Sequence, residues 1–528
     1  MTMESELRRQ IGQLLVFGFD GTVVPEEMKD LIRTHYLGNV ILFTRNVSSI
    51  AQLQELNADL QRLAYESGHS WPLTISADQE NGIVRRMPKE IPGLPGNMAL
   101  GATENPENAR RSGELTARIL LSLGVNFNLA PVLDVNNNPQ NPVIGVRSFS
   151  DVPEMVASFG RALIEGLQSQ GVIACGKHFP GHGDTNVDSH LDLPTIPHDK
   201  ARLKRVELVP FETAIEAGVD VLMTAHVVFP AVEPTGIPAT LSRRVLTDLL
   251  RQQLGFAGVI TTDCLEMNAI SETIGTPKGA VEALKAGADL VMVSHRLDRQ
   301  RATIEAIVAA VQSGDLSEDR INDAFQRVVA LKERRLRTAP ASNVPSEEAG
   351  ELQLQLSKAA LTRLTNGPSL PKNVRSIAVL SDETAPVMVA AGPGGKNPLV
   401  RQAVMEVLPG ASIEEFSFSS TIDATILDAA LRKLATHDAV VIGVNGTQND
   451  LYMTFLDGVH QLDVPQATLL LRSPYDARRL HNAPNLLALY ENTPWMVVAA
   501  VREAFHGGTA AGALPVEVSD EFPRGYHV

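Results

Sequence analysis

Residues 171–190 read GVIACGKHFPGHGDTNVDSH. The run from Val172 to Lys177 is apolar and too short for a helix. Gly, Pro, Asn and Asp follow it at once, which is the pattern of a buried strand that opens into an irregular loop. The same pattern recurs along the first 300 residues at Leu14 to Gly18, Asn39 to Phe43, Leu73 to Ala77, Val125 to Pro131, Val221 to Ala225, Gly258 to Thr262 and Leu290 to Ser294. Between these runs lie amphipathic stretches such as Asn108 to Leu123, Glu154 to Gln170, Ser242 to Gln253 and Lys278 to Ala286, each suited to a crossover helix. Eight βα units in succession predict a closed (β/α)8 barrel of the TIM type, with an open doubly wound sheet as the alternative.

A charged helix from Arg320 to Arg337 finishes this unit, and TAPASNVPSEEAG at 338–350 has the Pro, Ser and Ala content of a linker. From about Ser376 the βα rhythm resumes in IAVL, AVVIGV, ATLLLR and LLALY. The expected organisation is a barrel over residues 1–338, a linker over 339–370 and a smaller C-terminal α/β, sandwich-like domain over 371–528. The loop Gly392-Pro393-Gly394-Gly395 lacks the lysine and spacing of a phosphate cradle and reads as an ordinary loop.

Composition narrows the function. Hydrophobic residues at 44% and charged residues at 20% describe an ordinary globular protein. A net charge of -15 argues against a nucleic-acid partner, which requires concentrated cationic surface, and suits a small neutral ligand. Two cysteines, Cys175 and Cys264, are too few for a disulfide framework and read as buried thiols. The N-terminal MTMESELRRQIGQLLVFGF has neither the pattern of a signal peptide nor that of a membrane span, so a cytoplasmic placement without membrane association is expected.

In a barrel of this kind reactive residues gather where strands end. Asp78, Asp134, Lys177, His178, His226, Asp263 and His295 all stand at such ends. In the loop after the fifth run, the Asp188-Ser189-His190 ending puts a carboxylate within reach of an imidazole. Metal ligation is the rival reading of the histidines there, but no HExxH or Cys/His pairing accompanies them, so no metal and no cofactor is expected. His226 and His295 read as core or rim histidines.

These segments resemble glycoside hydrolase family 3, and within it the β-N-acetylglucosaminidase (NagZ-like) branch. The resemblance runs through IGQLLVFGF, Asp78-Gln79-Glu80, NFNLAPVLDVNNNPQNPVIGVRSF, KHFPGHGDTNVDSH, MTAHVVFPAVEPTGIPATLS and TTDCLEM, about 260 residues in unbroken order. It is weaker in the C-terminal half, where SPYD at 473–476 and GALPVEV at 512–518 carry it. The resemblance implies a retaining exo-β-N-acetylglucosaminidase. Asp263 of TTDCLEM would be the nucleophile, and Asp188 and His190 together the acid/base in place of the usual second carboxyl. Asp78, Arg86, Arg147, Lys177 and His178 would hold the terminal sugar. Their chemistry suits those roles, since an ionised carboxylate is a competent nucleophile and leaving group, and cationic donors bind sugar oxygens.

The chain departs from the family pattern at Asn81 and Ile83, where glycine and arginine are usual, and at Cys264 beside the nucleophile. These put subsite shape and aglycone preference in question. Two other functions remain open on these residues: a phosphorylase using the same site with phosphate as acceptor, and a noncatalytic sugar-binding protein. The natural substrate is also open among muropeptides, chitooligosaccharides and glycoconjugates. The second domain is expected to contribute no catalytic side chain.

Overall fold

The computed structural model describes residues 3–186, 193–336, 343–382, 399–418, 424–508 and 510–528. Eight parallel strands close on themselves: β1 (Leu15–Phe17), β2 (Asn39–Leu42), β3 (Thr74–Ala77), β4 (Phe127–Asn128), β5 (Ile173–Phe179), β6 (Val221–Thr224), β7 (Val259–Cys264) and β8 (Leu290–Val293). Closure is made by β1 against β8, with Leu15 opposite Val291 and Phe17 opposite Val293. The open sheet is therefore excluded. Every strand lies within or overlaps one of the apolar runs. The strands read as continuous apolar runs because helices cover the outer face while side chains fill the inner one. β4 is only two residues long, but backbone bonds of the ladder type run on past it, Leu129 N to Ala77 O at 3.0 Å and Lys177 N to Pro131 O at 3.0 Å.

The crossover helices include Pro106–Ser122, Pro153–Ser169, Thr276–Ala286 and Leu297–Gln312. Glu318–Arg335 follows, capped by Ser317, whose Oγ accepts from Arg320 N at 3.2 Å. The stretch expected as a helix from Ser242 is helical over Arg244–Gln253 with π winding.

The span read as a linker contains a helix, Ser346–Ala360, instead of irregular chain alone. Ala349, Leu352 and Leu356 recur on one face and bury into the barrel-side core, and Arg118 pairs with Glu348 across the contact at 2.6 Å. The Pro and Ser residues just before it mask this short periodicity. Beyond it a six-stranded sheet forms from β9 (Thr362–Arg363), β10 (Ser376–Asp382), β11 (Ser412–Phe418), β12 (Ala439–Val444), β13 (Gln466–Leu470) and β14 (Leu486–Ala488). Its order is β11-β10-β12-β13-β14-β9, parallel except for β9. β10, β12, β13 and β14 are the four runs legible in sequence. β11, SIEEFSF, is an edge strand with exposed charges, and β9 is only two residues long. The Gly392–Gly395 loop lies outside the described residues.

The two sheets have separate apolar cores, yet Met98, Ala99, Ala102 and Val146 from the barrel chain belong to the core of the second sheet. Among the described residues, no helix is long and apolar enough to cross a membrane.

Candidate active site

At the carboxyl ends of the barrel strands lies a cavity of about 540 Å³, lined by residues that all fall between Ile41 and His295. Asp78, Arg86, Arg147, Lys177, His178 and Asp263 all face it. Asp188 and His190 lie outside the described residues.

Local irregularities in two strands put the reactive side chains at the mouth. Between β5 and β6, Gly176 pairs with Leu222 and Phe179 with Thr224, so β5 spends three residues where β6 spends two. Lys177 and His178 occupy that excess. Between β7 and β8, Thr261 pairs with Leu290 and Cys264 with Met292, and Asp263 falls in the matching excess. An extra residue of this kind re-aims the side chains beside it. Asp263 Oδ1 accepts from Cys264 N at 2.7 Å, and His226, buried, holds the Cys264 carbonyl through Nε2 at 3.0 Å and Thr240 through Nδ1 at 2.8 Å. His226 is thus a satisfied core histidine that steadies the end of β7.

Four charges form a closed cluster on the opposite side. Lys177 Nζ lies 2.7 Å from Asp78 Oδ1 and 2.7 Å from Glu80 Oε1, and Glu80 also takes Arg147 through Nε and Nη2. All but Asp78 are almost fully buried. Burial alone would raise the Glu80 pKa, but Arg147 and Lys177 outweigh it and hold the carboxyl well below the usual range. Burial would lower the Lys177 pKa, and Asp78 and Glu80 reverse this. The two anions and two cations cancel, so the pocket wall offers fixed donors and acceptors without net charge.

Asp134 fixes His178. Its Oδ2 meets His178 Nδ1 at 2.7 Å while Oδ1 accepts the amides of His178 at 3.2 Å and His182 at 2.7 Å. With Nδ1 committed to a carboxylate, the other ring nitrogen is the one available to a ligand. Burial pushes the Asp134 pKa up, and the neighbouring His178 and the amides more than offset this. His182 bonds Thr185 Oγ1 at 2.9 Å, and burial followed by the nearby His178 pushes its pKa down to about 4. His182 also lines the cavity.

The segment that follows is tied to the loop after β4. Asn141 Nδ2 donates to the carbonyls of His182 and Gly183, each at 2.9 Å. Any side chain at Gly183 would collide with Val135 O, which explains glycine there. Asn81, where the family pattern has glycine, adopts φ 71°, a left-handed conformation that asparagine tolerates, and donates to Thr116 Oγ1 at 3.0 Å. Ile83 packs toward the second sheet's core and does not line the main cavity. Cys264 does line it, its thiol pKa pushed up to about 12 by burial.

Glu80, Asp134 and Glu266 carry structural roles that residue-by-residue reading did not assign. Glu80 stood inside the quoted Asp-Gln-Glu motif, and Asp134 at a strand end, so both had a visible signal. Glu266 stood inside the quoted TTDCLEM motif without being singled out: its two oxygens accept His295 N at 2.7 Å and Arg296 N at 3.0 Å, joining the loops after β7 and β8. His295 lies at the rim against Phe43, ring centroids 5.0 Å apart.

The second domain closes the back of the site. Glu491 accepts Gly96 N, Thr493 Oγ1 and Trp495 Nε1, each at 2.7 Å. It borders a small void shared with Glu80 and Arg147. Burial raises its pKa to about 7 against those donors.

A concave pocket at the carboxyl ends of the barrel strands, walled by paired charges and with an acidic residue at a strand end, stands where TIM-barrel enzymes hold their active sites. Residues 6–331 match the glycosyl hydrolase family 3 N-terminal domain, and the chain belongs to that family. It is similar to a glycoside hydrolase family 3 β-N-acetylglucosaminidase from Paenibacillus sp. str. FPU-7, with 38% identity, a TM-score of 0.88 and coverage of 98% of this chain and 99% of that one. A β-hexosaminidase A of Pseudoalteromonas piscicida is 35% identical over 377 residues, 66% of this chain and 63% of that protein, so the chain spans a little under two thirds of that relative. A β-hexosaminidase of Nitrosomonas eutropha is 37% identical over 290 residues, 54% of this chain and 81% of the relative.

Proposed function

We propose that the chain is a retaining exo-β-N-acetylglucosaminidase that removes terminal non-reducing β-GlcNAc. The observation that carries this reading is Asp263 facing, across one cavity, the Asp78, Lys177, Arg147 and His178 cluster. The likeness to the Paenibacillus β-N-acetylglucosaminidase over nearly the full length of both chains supports the choice of sugar.

In the first step an Asp263 oxygen attacks the anomeric carbon and forms an ester as the glycosidic C–O bond breaks. The departing oxygen takes a proton from the His190 imidazolium, which Asp188 orients and stabilises. In the second step His190 removes a proton from water as that water attacks the same carbon, and the ester bond returns its electrons to Asp263. Asp78, Lys177, Arg86, Arg147 and His178 bind the ring hydroxyls meanwhile. A barrel-side cluster without net charge favours a neutral sugar and water over a phosphate acceptor.

Two assays test the proposal. Aryl β-glycosides differing only in acetamido or hydroxyl at C2 should be turned over with a strong preference for acetamido. Product analysis should give the β-anomer first, unchanged by added phosphate. Equal rates on both glycosides, an α-product, or a sugar phosphate would each defeat part of it.

A further inference from the structure

A second group of ligand-type side chains stands apart from the glycosidase chemistry. Asp184, His198 and Glu207 each bring one ligand atom to within 4.8 Å of the other two. Asp184 comes from the segment after β5, His198 precedes the helix Lys200–Arg205, and Glu207 follows it. His198 Nε2 lies 2.5 Å from Asp184 Oδ2.

Glu207 is the informative member. Its side chain is 3% exposed, and among the described residues its Oε2 has no hydrogen-bond partner. Its Oε1 meets Asn137 Nδ2 and Arg202 Nη2, both at the long distance of 3.4 Å. The surroundings of Asn137 favour the opposite amide orientation, in which that nitrogen donates to Val135 O at 3.0 Å and leaves Glu207. A buried carboxylate with so few donors is costly unless a cation balances it. Burial accordingly raises its pKa.

We propose that Asp184, His198 and Glu207 bind one divalent cation of the zinc or manganese class, which ties the segment after β5 to the helix Lys200–Arg205. Two carboxylates and water could serve many divalent ions, but the imidazole nitrogen favours zinc or manganese over calcium and magnesium, whose ligands are oxygens. Ligands about 2.0–2.2 Å from a common ion stand roughly 3 Å apart, so His198 and Asp184 separate slightly on binding. His198 is 30% exposed and has room to turn. Arg202 competes for Glu207, but at 31% exposure it can swing outward.

The test uses the whole chain stripped of metal by chelation and titrated calorimetrically with zinc chloride and manganese chloride. Cys264, Glu266 and His295 form another trio within 4.8 Å at the cavity, so the background carries Cys264→Ser and His295→Ala to remove competing ligands. One equivalent should bind, and an excess of about 100 times Kd should raise the unfolding temperature by several degrees. His198→Ala and, separately, Glu207→Gln should weaken binding by about 100-fold or more while circular dichroism stays native. Absence of stoichiometric binding, or equal affinity in both variants, would overturn the proposal and make the trio a hydrogen-bonded cluster balanced by Arg202. The readouts do not involve glycoside turnover, so they stand or fall apart from the proposed activity.

Discussion

Glu80 and Arg147 face each other in a buried fork, Nε to Oε2 at 2.9 Å and Nη2 to Oε1 at 2.7 Å, and the same Glu80 carboxylate takes the Lys177 ammonium. One side chain thus sets the position of two cations that line the pocket. Both cations line the cavity while held by the protein's own carboxylates.

Glu80→Gln should therefore damage stability and binding together. Removing one partner of a buried ion pair costs about 3–5 kcal/mol, because the remaining charge is left uncompensated. Urea unfolding should show a loss of that order, and KM for an aryl β-N-acetylglucosaminide should rise. A stability loss below about 1 kcal/mol would mean Asp78 alone suffices to hold both cations.

Asp263→Ala should abolish turnover of even activated aryl substrates, since no covalent intermediate can form. A 5-fluoro or 2-fluoro glycosyl fluoride should label Asp263 in the parent chain, as read by peptide mass spectrometry. Labelling of any other residue would reassign the nucleophile.

His190→Ala should slow substrates with poor leaving groups by orders of magnitude and spare the first step for activated ones. If Asp188 pairs with His190 as proposed, Asp188→Ala should show the same selectivity more mildly and shift the basic limb of the glycosylation pH profile downward, because a nearby anion favours the charged imidazolium. A uniform loss across leaving groups would move both residues from proton transfer to binding.

Asp134→Asn keeps the shape but removes the anion that meets His178 Nδ1 at 2.7 Å. If His178 is a sugar ligand, KM should rise about 10- to 100-fold with a smaller change in kcat for activated substrates. A change in the leaving-group dependence would instead implicate His178 in proton transfer.

Glu491 predicts a pH effect on the contact between the two domains. Its folded pKa is raised from 4.5 to about 7, so the folded state holds a proton that the unfolded chain has released between these values. Its contribution is greatest below pH 4.5 and falls as pH rises toward 7, by up to about 3 kcal/mol. His182 acts in the opposite sense, since its depressed pKa makes stability rise from about pH 4 toward 6.5. Comparing Glu491→Gln with the parent by denaturant unfolding at pH 5 and pH 8 isolates the first effect. The difference between them should change by more than 1 kcal/mol, about one pKa unit's worth, and parallel pH profiles would refute it.

The barrel was legible in the chain because buried parallel strands need uninterrupted apolar runs and the loops between them need Gly, Pro and Asn. Both requirements act within a few residues. The same is true of Lys177-His178 and Asp263, whose position directly after such runs puts them at the mouth of any barrel so built. The helix Ser346–Ala360 and the strand β11 were less legible, the first because its few buried positions sit behind a Pro- and Ser-rich approach, the second because the adjacent Glu414 and Glu415 of this edge strand interrupt its apolar run.

Sequence alone determined the eight-unit repeat, the residue types at the strand ends and the net charge of -15, all of which are local or additive properties. Tertiary structure decided which charges meet. Glu80, Arg147 and Lys177 are separated by 67 and 30 residues, and no periodicity links them; they converge because neighbouring strand ends and the loop after β4 open onto one cavity. It also decided that one extra residue in β5 and another in β7 aim the reactive side chains, since a bulge exists only relative to the strand beside it.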